Sequence, residues 1–139
     1  MAKSTVGLWW PATFAGSDRV EEPHCTALFL GKWPAETGEW MREDLRTVLR
    51  GEPSLSIAPG TLAVTGGDIF GPSNEPVKVL KLEKTPAFAL LHDQLVGYMA
   101  QMGFESVSEF DWNPHVTVGE ALGDNPLPKA VHLGELEVW

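Results

Sequence analysis

Pro23-His24-Cys25-Thr26-Ala27 and Pro114-His115-Val116-Thr117-Val118 repeat one pattern of proline, histidine, any residue, threonine and an apolar residue, and each run precedes a glycine, Gly31 or Gly119. Both runs read as short strands, in which residues two apart share a face. His24 and Thr26 then lie side by side on one surface, as do His115 and Thr117, while Cys25 and Val116 point the other way into a core. A lone copy carries little, since Ser or Thr falls two places after a histidine about one time in ten at ordinary composition. Two copies that share the preceding proline and the following apolar residue predict two similar lobes.

The surrounding elements fit that reading. Thr5–Trp10 is β-prone and ends at Pro11. Glu36–Arg50 carries Trp40, Leu45, Val48 and Leu49 at helical spacing, charges on the other face, and Gly51 as a stop. Leu55–Ala58 and Leu62–Thr65 are short β-like runs, Phe70-Gly71-Pro72 opens a loop, and Val77–Leu82 partly alternates apolar with basic residues. Pro86 opens a second helix with Phe88, Leu91, Leu95, Val96 and Met99 on its apolar side, ending near Gly103, and a closing strand covers Val131–Trp139. Strands interrupted by two long helices predict an α+β fold with the helices on one side of the sheet. A length of 139 residues with no linker predicts one domain, 1–139.

Composition narrows the function. Ten basic against 19 acidic residues give a net charge of −9, which makes the chain a poor partner for long DNA or RNA, whose affinity comes from neutralising phosphates. The single cysteine, Cys25, excludes an internal disulfide and a multi-thiolate zinc site. No apolar stretch approaches the ~18 residues of a membrane span, and Met1-Ala2-Lys3-Ser4 begins no signal peptide, so a cytoplasmic location and no membrane partner are expected.

Two lobes that face each other would bring two imidazoles and two hydroxyls to one surface. One histidine takes a proton from a nucleophile while the other gives one to a leaving oxygen; both protonation states are accessible, because free histidine titrates near pH 6.5. Thr26 and Thr117 can donate to the non-bridging oxygens of a phosphate as charge builds there. Adjacent strand residues diverge, so Cys25 cannot act with His24 and belongs to the core. A metal site on His24 and His115, with Asp68 or Asp111, lacks any recognised ligand spacing, and no cofactor is expected. Trp10, Trp33 and Phe70 are candidates to line a groove and stack a base, against the alternative of core packing. Lys32, Lys78 and Lys81 are the nearby basic candidates, with Lys78 and Lys81 taken as substrate contacts. Tyr98 reads as core, and His92 and His132 as structural or solvent-facing.

The paired motifs, with Phe29-Leu30-Gly31 trailing the first and Val77–Leu82, Pro86–Met102 and Asn113–Val118 forming the second half, resemble the two-histidine phosphoesterases, the LigT-like group, over roughly Ser4 to Glu120. The resemblance implies a bilobal fold, two pseudo-symmetric lobes of antiparallel sheet with helices packed outside and a central groove. It implies metal-independent hydrolysis of 2′,3′-cyclic phosphates, related RNA ends or small cyclic nucleotides by His24, Thr26, His115 and Thr117. Compact phage members that resemble the chain destroy cyclic oligonucleotide signals of bacterial immunity, which implies a similar role in a host cytoplasm. RNA-directed members surround the groove with basic residues; the acidic balance here favours a small cyclic nucleotide or oligonucleotide. The expectation is therefore a cyclic-nucleotide phosphodiesterase with His115 as base and His24 as acid, labels that the near-symmetry allows to be exchanged. The alternatives are an RNA 2′,3′-cyclic phosphodiesterase and a nucleotide-binding sponge.

Overall fold

The computed structural model describes residues 3–70, 77–106 and 112–139. Along these residues run β1 (Lys3–Thr13), β2 (His24–Pro34), α1 (Ala35–Arg50), β3 (Gly60–Phe70), β4 (Val77–Leu82), α2 (Pro86–Gln101), β5 (His115–Thr117), β6 (Ala130–Leu133) and β7 (Glu137–Val138). Asp111 and the Gly71-Pro72 part of the expected loop lie outside the described residues. The architecture is α+β, and every strand pairing is antiparallel.

The strand order is β2-β5-β4-β3-β6-β1-β7, with β1 also paired to β2, so six strands form a closed circuit and β7 adds to β1. The two His-x-Thr strands are neighbours, joined where Cys25 pairs with Val116. Around that pair the layout is pseudo-symmetric, with β1 outside β2 and β4 outside β5. The two similar halves of the sequence thus meet along a shared strand pairing.

One face of the sheet is apolar. β1 supplies Val6, Leu8, Trp10 and Ala12 in strict alternation, and these join Cys25, Leu80, Val116, Val131 and Leu133 from the other strands. Leu45 and Leu49 of α1 and Phe88, Leu95 and Met99 of α2 belong to the same cluster. α2 begins where the Thr85 hydroxyl oxygen accepts from the Phe88 N–H at 3.1 Å, with Pro86 in the first turn. Leu8 pairs with Leu28 but Trp9 with Thr26, so Ala27 is the extra residue of a bulge, and Cys25 and Leu28, three apart, both reach the core.

Three expectations change. Leu55–Ala58 is not a strand: Pro53 opens a 3-10 turn over Pro53–Ser56 that buries Leu55. β1 does not stop at Pro11, whose carbonyl accepts from the Gly134 N–H at 2.8 Å; the missing proline N–H falls in the gap between β7 and β6. The closing segment is two strands, β6 and β7, separated by Gly134-Glu135-Leu136.

Trp10 is fully buried and touches Phe88 at 5.2 Å between ring centroids, yet its indole N–H has no partner among the described residues. Trp10→Ala should lower the unfolding free energy by about 3–5 kcal/mol, and Trp10→Phe by much less, because the lost N–H makes no bond. Urea denaturation of the two variants checks this.

Candidate active site

Antiparallel pairing about Cys25 and Val116 sets His24 opposite Thr117 and Thr26 opposite His115, on the face turned away from the core. Opposed strand residues lie about 5 Å apart and diagonal ones about 7–8 Å, so the imidazoles flank a space suited to one phosphate with a hydroxyl beside each. Behind them Cys25 is fully buried, and burial pushes its thiol up to about 12. It is no nucleophile at neutral pH.

Both histidines are held in the same way. His24 Nδ1 donates to the Glu22 carbonyl and His115 Nδ1 to the Asn113 carbonyl, each at 2.7 Å. In both cases the acceptor is the residue before the repeated proline, whose fixed φ turns the chain so that this carbonyl meets the ring. A carbonyl only accepts, so the hydrogen sits on Nδ1 and Nε2 is the nitrogen left for chemistry. Glu22 adopts φ 46°, the one positive φ outside glycine among the described residues, a conformation that costs roughly 1–2 kcal/mol and sits at the turn serving His24. Burial lowers the His24 pKa from 6.5; the hydrogen bond and charge of Glu22 oppose the shift, and the charge of His115 adds to it.

The other sequence candidates divide. Phe70 ends β3 with its ring edge-on to His115, 4.8 Å between centroids. Lys81 lies directly across from His115 on β4 and pairs with Asp68 at 3.9 Å. Lys78 is displaced from the site: three residues from Lys81, it falls on the opposite face of the strand and pairs with Glu120 at 3.4 Å. Trp10 is removed from the groove by its place in the core. Trp33 faces Ser4, whereas His24 faces Pro11, so Trp33 stands seven β1 residues away, roughly 23 Å at the usual strand rise. Its N–H bonds the Leu30 carbonyl at 2.7 Å.

Trp9 and Trp112, near the site, escaped the sequence reading. Trp9, not Trp10, occupies the histidine face and stacks on His24 at 3.9 Å between centroids. The alternation of Val6, Leu8, Trp10 and Ala12 carried that signal. His92 Nε2 donates to the Ala27 carbonyl at 2.9 Å and lies flat on Trp112 at 3.6 Å; the Trp112 N–H bonds the Thr26 carbonyl at 3.2 Å. The bulge carbonyls behind Thr26 are thereby satisfied, and His92 is structural. His132, on the exposed side of β6, bonds the Thr61 hydroxyl at 3.3 Å. Among the described residues no three His, Cys, Asp or Glu side chains cluster as metal ligands would.

A family model for the 2′-5′ RNA ligase superfamily matches residues 5–134. The chain belongs to that superfamily. Its members are two-histidine phosphoesterases, and a phosphoesterase hydrolase is the activity the family supports. Solved structures share the fold of this superfamily protein. One from Thermus thermophilus has TM-score 0.55 and 17% identity, covering 97% of this chain and 84% of its own. E. coli LigT complexed with 3′-AMP has TM-score 0.54 and 19% identity, covering 97% and 87%. A further phosphoesterase has TM-score 0.58 and 16% identity, covering 96% and 86%. A comparison with curated protein sequences returns no match. Among the described residues of this superfamily protein, no helix is long and apolar enough to cross a membrane.

Nitrogen-detected NMR of the neutral imidazoles should find His24 and His115 as Nδ1–H tautomers and His92 as the Nε2–H tautomer. An Nε2–H tautomer at either of the first two would contradict the shared anchoring.

Proposed function

We propose that the chain is a metal-independent phosphodiesterase that hydrolyses a small cyclic nucleotide or cyclic oligonucleotide, with His24, Thr26, His115 and Thr117 as its catalytic groups. The observation that carries this reading is the juxtaposition of two His-x-Thr strands in which both imidazoles are anchored through Nδ1. In the first step the neutral Nε2 of His24 removes a proton from water as the water oxygen bonds to phosphorus. The bond from phosphorus to the ribose oxygen breaks on the opposite side, and Nε2–H of His115 protonates that oxygen. Thr26 and Thr117 hydroxyls donate to the non-bridging oxygens. Burial favours the neutral form of His24, the state a base requires, so the acid and base labels are the reverse of those expected from sequence.

Substrate size follows from charge. The net charge is −9 and Lys81, the cation across from His115, already has Asp68 as a partner. A polymer needs a track of free cations, whereas a molecule with few phosphates needs only local donors. The second reading, a 2′,3′-cyclic phosphate at an RNA end, draws support from the fold neighbour LigT, which holds 3′-AMP, a ribonucleotide bearing its phosphate at that end.

A panel of cyclic di- and trinucleotides, 2′,3′-cyclic mononucleotides and an RNA with a cyclic end decides between the two; turnover of the RNA alone would overturn the small-substrate reading. Turnover of the cyclic di- or trinucleotides would extend it to the removal of such signals. Ligand recovered intact after long incubation would instead indicate a sponge. His24→Ala and His115→Ala should each cost about 10²–10⁴ in kcat with the fold intact, and EDTA should change nothing.

The pH profile carries a sign. Protonated His24 cannot accept a proton, so the acidic limb of kcat/KM should lie below pH 6.5, at the lowered pKa of His24. Glu22→Gln removes a charge that raises that pKa, and should move the limb to still lower pH. A limb that stays in place or rises would contradict the assignment of His24.

A further inference from the structure

The two histidines have matching backbone anchors but unlike surroundings. A single hydrogen bond through Nδ1 fixes one atom of a ring and leaves the plane of the ring to be set by something else. At His115 the ring contact among the described residues is a T-shaped one with Phe70, 4.8 Å between centroids and 73° between planes. At His24 two indoles do so: Trp9 at 3.9 Å and 30°, and Trp139 at 5.4 Å and 44°. Trp9 and Trp139 also stack on each other at 4.7 Å and 20°. Each of the three rings touches the other two, so none can turn without displacing its neighbours.

The indoles are themselves tied down. The Trp9 N–H bonds a Glu137 carboxylate oxygen at 3.2 Å. Trp139 exchanges two backbone hydrogen bonds with Gly7, each 2.9 Å. Its ring lies against the Gly7 Cα: a Cβ there would meet that ring at 3.0 Å and the Leu28 carbonyl oxygen at 2.5 Å. Gly7 is thus the residue that lets the second indole seat. The position on β4 that corresponds to Trp9, opposite Thr117 as Trp9 is opposite Thr26, is held by Val79, so the stacking indole has no counterpart on β4.

We propose that Trp9 and Trp139, locked by Glu137 and Gly7, form a clamp of positioning residues that sets the ring plane of His24. The clamp rests on the catalytic role proposed for His24, and its geometry can be read without activity. Trp9 has its N–H committed to Glu137 and stacks on the histidine, which separates it from a platform for a base. The charged and titratable groups set around His24 are Glu22 before β2, His115 on β5 and, through Trp9, Glu137 beside β1.

The test compares Trp9→Ala, Trp9→Phe, Trp139→Ala and Glu137→Gln in steady-state kinetics and in an NMR titration of the histidine rings. Trp9→Ala and Trp139→Ala should lower kcat by about ten- to a hundredfold with KM nearly unchanged. In both, the His24 ring protons should lose their indole ring-current shifts and the pKa of His24 should move, while the signals of His92 stay in place as a check on the fold. Trp9→Phe keeps a stacking ring and should recover most of kcat, matching Glu137→Gln. A rise in KM at constant kcat would make Trp9 a substrate platform and overturn the clamp, as would unchanged His24 shifts in both alanine variants. If the wild-type chain turns over no phosphodiester, the NMR arm still decides the clamp, and the catalytic reading fails separately. Should Trp9→Ala not fold, Trp139→Ala carries the same readouts.

Discussion

The antiparallel pairing of Cys25 with Val116 joins strands that are distant in the chain, and the site is built on it. β5 spans only His115–Thr117, too short a ladder to hold a register by backbone bonds alone. The register is protected by burial: Cys25 and Val116 are both fully buried, and Leu80, across from Val116 on β4, is buried with them. A slip of either strand by one residue would turn its core residue, Cys25 or Val116, outward and drive its imidazole into the apolar face. The hydrophobic requirement of two small side chains thus keeps His24, Thr26, His115 and Thr117 on one surface.

On that frame the chain places equal chemistry in unequal settings. Each histidine bonds the carbonyl of the residue before its proline, and each has a threonine two residues on. Pro11 and Trp9 flank the first pair from β1, where Lys81 and Val79 flank the second from β4. One side is aromatic and desolvating, and the other carries a cation already paired with Asp68. The proposed acid–base chemistry draws on that inequality, since burial favours the neutral form of His24.

Much of this was legible in the residues. The repeated Pro-His-x-Thr, the spacing of the two helices and the all-β remainder led to an α+β fold and to the four catalytic candidates. Trp10 was also legible: the period of two through Val6, Leu8, Trp10 and Ala12 assigns it to the core and leaves Trp9 on the histidine face. The same period separates Lys78 from Lys81. The 3-10 turn at Pro53 and the split of the closing segment were not, because short apolar runs take their conformation from what they pack against. Nor was the clamp, since Gly7, Trp9, Glu137 and Trp139 share no local pattern.

The sequence by itself determined what depends on local stereochemistry: which residues alternate, where the helices start and stop, and that each histidine travels with a proline and a threonine. Tertiary structure alone decided what depends on neighbours distant in the chain. It put β2 beside β5, gave Glu22 a left-handed turn whose carbonyl meets His24, and brought Trp139 onto Gly7 and His24. Strand pairing and burial act between segments that the chain's own order leaves far apart, so the difference between the two imidazoles appears only once the sheet has closed.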